Sequence, residues 1–182
     1  MLTGLFKTEE RAKILRYVMF RSSFSVSEVS RAAGVNKGLV SRYLRLLNGL
    51  GLLQRDGRKY ALLDGALSRA VRLLLNLEKL DLSTLGMCPI EELKGLKGLG
   101  LYGSWANGTN SIDSDLDVWI RADSLPDESD LARLQRDLTL RTGAEVNLLV
   151  LTPQKLAELK INEPPFYNSL ITNYLTIKGE PI

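Results

Sequence analysis

Histidine is absent from the 182 residues and cysteine occurs once, at Cys88. Without imidazole there is no Ser-His-Asp triad, no Cys-His pair and no histidine metal site. A single thiol forms neither an intramolecular disulfide nor a thiolate zinc site. Long apolar runs are missing too. No stretch approaches the roughly 18 apolar residues of a membrane span, and the N-terminus has no signal-peptide hydrophobic region. The expectation is a soluble, cytoplasmic protein with no membrane partner. What remains for chemistry is carboxylate, hydroxyl and a metal ion held by oxygen.

With 45% of its residues hydrophobic and 25% charged, the chain can bury two small cores. Its net charge of +3 hides an asymmetry. Residues 1–63 carry 12 Lys and Arg against 4 Asp and Glu, a net of +8, and residues 64–182 carry 12 against 17, a net of −5. A basic half suits nucleic acid and an acidic half suits a divalent cation.

The stretch Gly103 to Asp117 reads GSWANGTNSIDSDLD and lies between two apolar runs, Leu99 to Tyr102 and Val118 to Ile120, that read as strands. Residues two apart on a strand share a face, so Asp115 and Asp117 point the same way about 7 Å apart, while Leu116 and Val118 point into a core. Paired carboxylates invite Mg²⁺, which takes oxygen ligands and typically shares them with substrate phosphates. Gly103 and Ser104 add a backbone that can approach a phosphate closely and a hydroxyl donor.

Gly103 and Ser104, then Gly108, then Ser114, Asp115 and Asp117 on the next strand resemble the signature of the DNA polymerase beta nucleotidyltransferase superfamily, especially its minimal members. The resemblance spans roughly Leu99 to Leu151. It implies Mg²⁺ (or Mn²⁺) on Asp115 and Asp117, a nucleoside triphosphate gripped by Gly103, Ser104, Gly108 and Ser114, and transfer of a nucleoside monophosphate to an acceptor hydroxyl. Some minimal members also act with a partner protein. The superfamily places a third carboxylate on the strand after the second helix. Here that strand reads EVNLLV, so the matching position is Asn147, with Glu145 on the same face two residues earlier. An amide coordinates a cation weakly and cannot serve as a general base. Asn107 is a second departure, standing where many minimal members carry a basic residue.

In the basic half, Thr8 caps a helix to Phe20, a short helix runs from Ser25 to Ala33 and stops at Gly34, and Asn36 caps a helix to about Leu50. On that last helix Lys37, Ser41, Arg42, Arg45 and Asn48 share one arc, and Leu39, Val40, Tyr43, Leu44, Leu47 and Leu50 the other. Leu52 to Gln54 and Lys59 to Leu63 read as strands of a hairpin around Asp56-Gly57, its tip carrying Arg55, Arg58 and Lys59. This order resembles a winged helix-turn-helix domain. The resemblance implies DNA on Lys37, Ser41, Arg42 and Arg45, with Arg55, Arg58 and Lys59 on the wing.

Asp64 to Leu80 predicts one amphipathic helix, its stripe of Leu67, Val71, Leu74, Leu75, Leu77 and Leu80 covered by the second domain or by a second copy in a homodimer. A short helix near Pro89 to Leu96 follows. Beyond the signature come a helix Ser129 to Thr142, a strand Glu145 to Leu151, a helix from Pro153 capped by Thr152, and a last helix from Phe166 to Tyr174 after a break at Pro164 and Pro165. The fold expected is α+β. A winged helix-turn-helix over 1–63 and a linker region over 64–98 precede a small α/β nucleotidyltransferase-like domain with a mixed sheet over 99–182.

Three functions fit these expectations: a Mg²⁺-dependent nucleotidyltransferase with a DNA-binding winged helix, a transcriptional regulator whose degenerate nucleotidyltransferase-like domain senses nucleotide, and an interaction protein that docks through both modules. Two aspartates in full context place the first ahead. Asn147 speaks for the second.

Overall fold

The structure is a computed structural model and describes residues 6–80 and 95–182. Cys88 and most of the helix expected near Pro89 to Leu96 lie outside the described residues. The end of that expected helix is corrected, because Gly95 is in a turn and Leu96 already opens a strand. The chain divides into two units, Met1–Arg72 and Leu73–Ile182.

In the first unit, helix α1 (Glu9–Val18) starts at Thr8, whose hydroxyl accepts from the Arg11 N–H. Strand β1 (Ser23–Ser25) runs into helix α2 (Val26–Ala33) through a reciprocal cap: the Ser25 hydroxyl accepts from Glu28 N–H and the Glu28 carboxylate accepts from Ser25 N–H. Gly34 ends α2 at φ +65°, and Asn36 opens α3 (Lys37–Gly49). Strands β2 (Leu53–Asp56) and β3 (Lys59–Leu62) form the hairpin, and β1 adds to it in the order β1-β3-β2. The three residues of β1 carry too little alternation to be read as a strand. They become one because β3 offers an edge, where Phe24 lies opposite Tyr60 and both rings are buried.

Helix α4 (Ala66–Leu80) crosses the division between the units. Its buried face is not the leucine stripe alone: Ser68, Arg72 and Asn76, four residues apart, are also buried, whereas Leu74 is 49% exposed. Leu80 joins the core of the second unit.

That unit is a four-stranded mixed sheet in which Val146–Leu151 (β6), Leu116–Ala122 (β5), Leu96–Tyr102 (β4) and Tyr174–Gly179 (β7) lie side by side in that order. Strand β4 (Leu96–Tyr102) leads through the five-residue helix α5 (Gly103–Asn107) to β5 (Leu116–Ala122), antiparallel to it. Helix α6 (Glu128–Thr142), closed by Gly143 at φ +65°, connects β5 to the parallel β6 (Val146–Leu151). Helices α7 (Pro153–Asn162) and α8 (Pro164–Thr172) follow, and β7 (Tyr174–Gly179) pairs antiparallel with β4. The expected last helix is therefore corrected. Pro164 and Pro165 occupy its first turn, where no N–H is needed, and Tyr174 belongs to a strand.

Alternation assigns the two faces of the sheet. Leu99, Leu101, Leu116, Val118, Ile120 and Val146 pack with Trp105 and with Leu134 and Leu138 of α6. On the opposite face Trp119 and Leu151 pack with Leu159 of α7 and Leu170 of α8. Gly100 lies opposite Trp119, and a Cβ there would come within 2.6 Å of the indole.

A buried amide pair ties α4 to the segment after α5. Asn76 Nδ2 donates to the Trp105 carbonyl at 2.9 Å and to Asn110 Oδ1 at 2.9 Å, and Asn110 Nδ2 donates back to Asn76 Oδ1 at 3.1 Å. Asn76 is fully buried and Asn110 1% exposed. Both tryptophans belong to the second unit, so their fluorescence follows its unfolding. Asn76→Leu removes all three bonds and is expected to cost about 2 kcal/mol, read from the urea midpoint of tryptophan emission. Asn76→Leu combined with Asn110→Leu should recover part of that loss. A double variant as damaged as the sum of the singles would show that the two amides do not act together.

Candidate functional site

The site forms where the apolar face around Trp119 turns polar, one rung further along the sheet. Asp117 of β5 lies opposite Asn147 of β6, and Tyr102 of β4 lies opposite Tyr174 of β7. Leu101 faces Val118, so continuing that antiparallel ladder by one residue sets Tyr102 beside Asp117. Asn147, Asp117, Tyr102 and Tyr174 thus make a row across all four strands on the face of Trp119.

Gly103 follows Tyr102 at φ +67°, and a Cβ there would sit 2.6 Å from Asp117 Oδ2. Glycine is required twice over, for the left-handed backbone and for the close approach of the carboxylate. The other carboxylate oxygen, Oδ1, accepts from Asn147 Nδ2 at 3.1 Å. Asp117 is therefore fixed from both sides. Burial raises its pKa above the ordinary aspartate value, the Asn147 hydrogen bond pulls it down, and the neighbouring Asp115 charge pushes it up again. Among the described residues, no cation is one of the groups acting on it.

Asp115 lies one residue ahead of β5, at the end of a tightly bonded turn. Gly108 ends α5 at φ +63° with its N–H on the Ser104 carbonyl. Ser111 N–H donates to the Ser114 hydroxyl at 2.9 Å, and the Trp105 indole N–H donates to the Ser114 carbonyl at 3.3 Å. Gly108 and Ser114 thus shape the turn that delivers Asp115. Ser104 is half-buried, and its hydroxyl makes no hydrogen bond among the described residues.

Glu145 precedes β6 by one residue, is exposed, and accepts the Leu116 N–H on its carbonyl at 2.7 Å. Among the described residues no three acidic side chains come together to hold a metal ion, so Glu145 does not complete a triad with Asp115 and Asp117. The donor set is two carboxylates and an amide. Hard oxygen ligands of this kind suit Mg²⁺ or Mn²⁺, and an acidic pair with no cation acting on Asp117 is relieved by one.

Sequence reasoning missed Tyr102, which alternation could have found because it shares parity with Gly100 on β4. Its ring meets Phe166 edge-on, with centroids 6.3 Å apart and planes at 82°. Burial, with a contribution from the Asp117 charge, pushes the Tyr102 phenol up to about 12, so it stays protonated. The Asn76–Asn110 pair was also missed, because nothing local marks a buried amide on a helix.

In the first unit, Lys37, Arg42 and Arg45 are exposed on α3, Ser41 is half-buried among them, and Val40, Tyr43, Leu44 and Leu47 of the same helix are buried. Arg55, Arg58 and Lys59 are exposed on the β2–β3 hairpin, where Arg55 Nε bonds the Gly57 carbonyl at 3.1 Å.

Comparison with known families finds two matches. Residues 8–55 match the bacterial regulatory protein family ArsR, and residues 90–172 match the nucleotidyltransferase domain family. Among solved structures the chain is similar to a complex of a tri-AMPylated HEPN toxin with MNT antitoxin from Shewanella oneidensis, at 16% identity over 59% of this chain and 73% of that one, with a TM-score of 0.39. It is also similar to a toxin-antitoxin structure with AMP-PNP, at 19% identity over 56% of this chain and 75% of that one, with a TM-score of 0.43. No curated protein matches the chain.

The Asn147 hydrogen bond favours the charged form of Asp117, so Asn147→Leu is expected to move the Asp117 pKa further up in metal-free protein. Carboxyl carbon chemical shifts followed against pH measure this. An unchanged midpoint would mean that the bond is not formed in solution.

Proposed function

We propose that this chain, which joins a helix-turn-helix region of the ArsR family to a nucleotidyltransferase domain, transfers a nucleoside monophosphate from a nucleoside triphosphate to an acceptor hydroxyl and binds DNA through its first unit. The observation that carries the first part is the seating of Asp117 between Gly103 and Asn147, with Asp115 on the same strand end. Asp115 and Asp117 would hold Mg²⁺ or Mn²⁺. Bound there, the ion supplies neutralisation of charge on the phosphates and on the pyrophosphate leaving group.

The chain's own groups supply the rest. Gly103 presents backbone without a side chain to the phosphates, and Ser104 offers its hydroxyl as a donor. The acceptor oxygen forms its bond to the α-phosphorus as the bond to pyrophosphate breaks. Asn147 cannot take the acceptor proton, so that proton leaves to solvent.

The Asn147 substitution also favours a second reading: a transcriptional regulator whose second unit binds nucleotide without turnover. The two are separated by incubating full-length protein with Mg²⁺, each α-labelled nucleoside triphosphate and an extract containing nucleic acids and proteins. Transfer of label by wild type, lost in Asp115→Asn, supports the transferase. Transfer by Asn147→Asp with none by wild type supports the regulator and makes the missing base the reason. Because cation and proton compete for Asp117, whose pKa is raised, cation binding should weaken on acidification at a higher pH than an ordinary aspartate would give.

DNA binding rests on the exposed cationic face of α3 and on the hairpin arginines. Arg42→Ala with Arg45→Ala should weaken DNA binding and flatten its salt dependence by a log-log slope of about 2, measured by fluorescence anisotropy across salt concentrations. An unchanged slope would remove these side chains from the DNA interface.

A further inference from the structure

Tyr102 stands in the polar row at the strand ends, between Asp117 and Tyr174 and one residue before Gly103. Its ring is held from two directions. Phe166 of α8 meets it edge-on at 6.3 Å, and it packs against the cluster of Trp119, Leu151, Leu159 and Leu170.

Yet that hydroxyl makes no hydrogen bond among the described residues. The nearest acceptor by register, Asp117, instead takes its hydrogen bond from Asn147 and turns its other oxygen to Gly103. A half-buried phenol ordinarily finds a partner. The oxygen is not among the buried polar atoms left without a partner, so it is open to solvent, and an oxygen acceptor arriving beside Asp117 and the Gly103–Ser104 turn can take the place of water there.

Resting on the nucleotide reading above, we propose that the Tyr102 hydroxyl is a further substrate contact, donating a hydrogen bond to a phosphate oxygen of the bound nucleoside triphosphate. Of the groups on such a substrate, the phosphates are the charged acceptors, and hydrogen bonds to charged oxygens are the stronger kind. The row also explains why a tyrosine is useful there. Phenylalanine would keep the Phe166 contact and the packing, so the hydroxyl is the only part that serves the ligand.

Tyr102→Phe removes that hydroxyl alone. Isothermal titration of the full chain in Mg²⁺, with each of the four nucleoside triphosphates and with inorganic tripolyphosphate, compares wild type, Tyr102→Phe and Asp117→Asn. Tyr102→Phe is expected to bind both the preferred triphosphate and tripolyphosphate about tenfold more weakly, with an unchanged urea midpoint of tryptophan emission. Affinities equal to wild type for both would overturn the inference and leave the nucleotide reading standing. Weaker triphosphate binding with tripolyphosphate unaffected would move Tyr102 to the nucleoside and overturn the phosphate contact. A wild type that binds none of the probes, like Asp117→Asn, would overturn the nucleotide reading and this inference together.

Discussion

The second unit depends on where one carboxylate can be kept. Asp117 sits at the end of a central strand, half-withdrawn from water, with the Gly103 backbone against one oxygen and the Asn147 amide on the other. A charged group in such a position is costly unless something compensates it. A single neutral hydrogen bond compensates in part, and the raised pKa records the remainder. The glycine, the short turn of α5 and the parallel pairing of β5 with β6 together hold this group at the strand end. Remove the glycine and its successor's Cβ collides with the carboxylate; shift β6 by one residue and Asn147 turns to the other face.

The supports of that position come from distant parts of the chain. The Gly103 turn is anchored through Trp105, whose carbonyl is held by Asn76 of α4 and whose indole holds the Ser114 carbonyl just ahead of Asp115. The C-terminal half of α4 is thereby part of the second unit, even though the helix begins directly after the hairpin of the first unit. A continuous helix whose last turns are bonded to the segment bearing the aspartates gives the linker a structural role in the site.

Much of this was legible in the residues. Caps at Thr8, Asn36 and Thr152 and stops at Gly34 and Gly143 announce their helices, because each satisfies a backbone group that a helix end leaves over. The Gly-Ser turn and the spaced aspartates announced the candidate site for an equally local reason. Strands β1 and β7 were not legible: three residues of SFS and the half-buried YLTIKG acquire strand character only from the edges of β3 and β4 that receive them. The face of α4 was read as leucine alone, since no local rule predicts that Asn76 finds Asn110 thirty-four residues away.

The sequence by itself determined the two-part plan, the cationic face of α3, the absence of imidazole chemistry and of an intramolecular disulfide, and the paired aspartates behind a Gly-Ser turn, because each of these is written in residue type and spacing. Only the tertiary structure decided what meets what: that Asn147 bonds Asp117, that Glu145 stays outside the pair, and that Tyr102 shares their row. Strand register and sheet order set those meetings, and both are fixed by packing over the whole domain, with no single segment carrying the information.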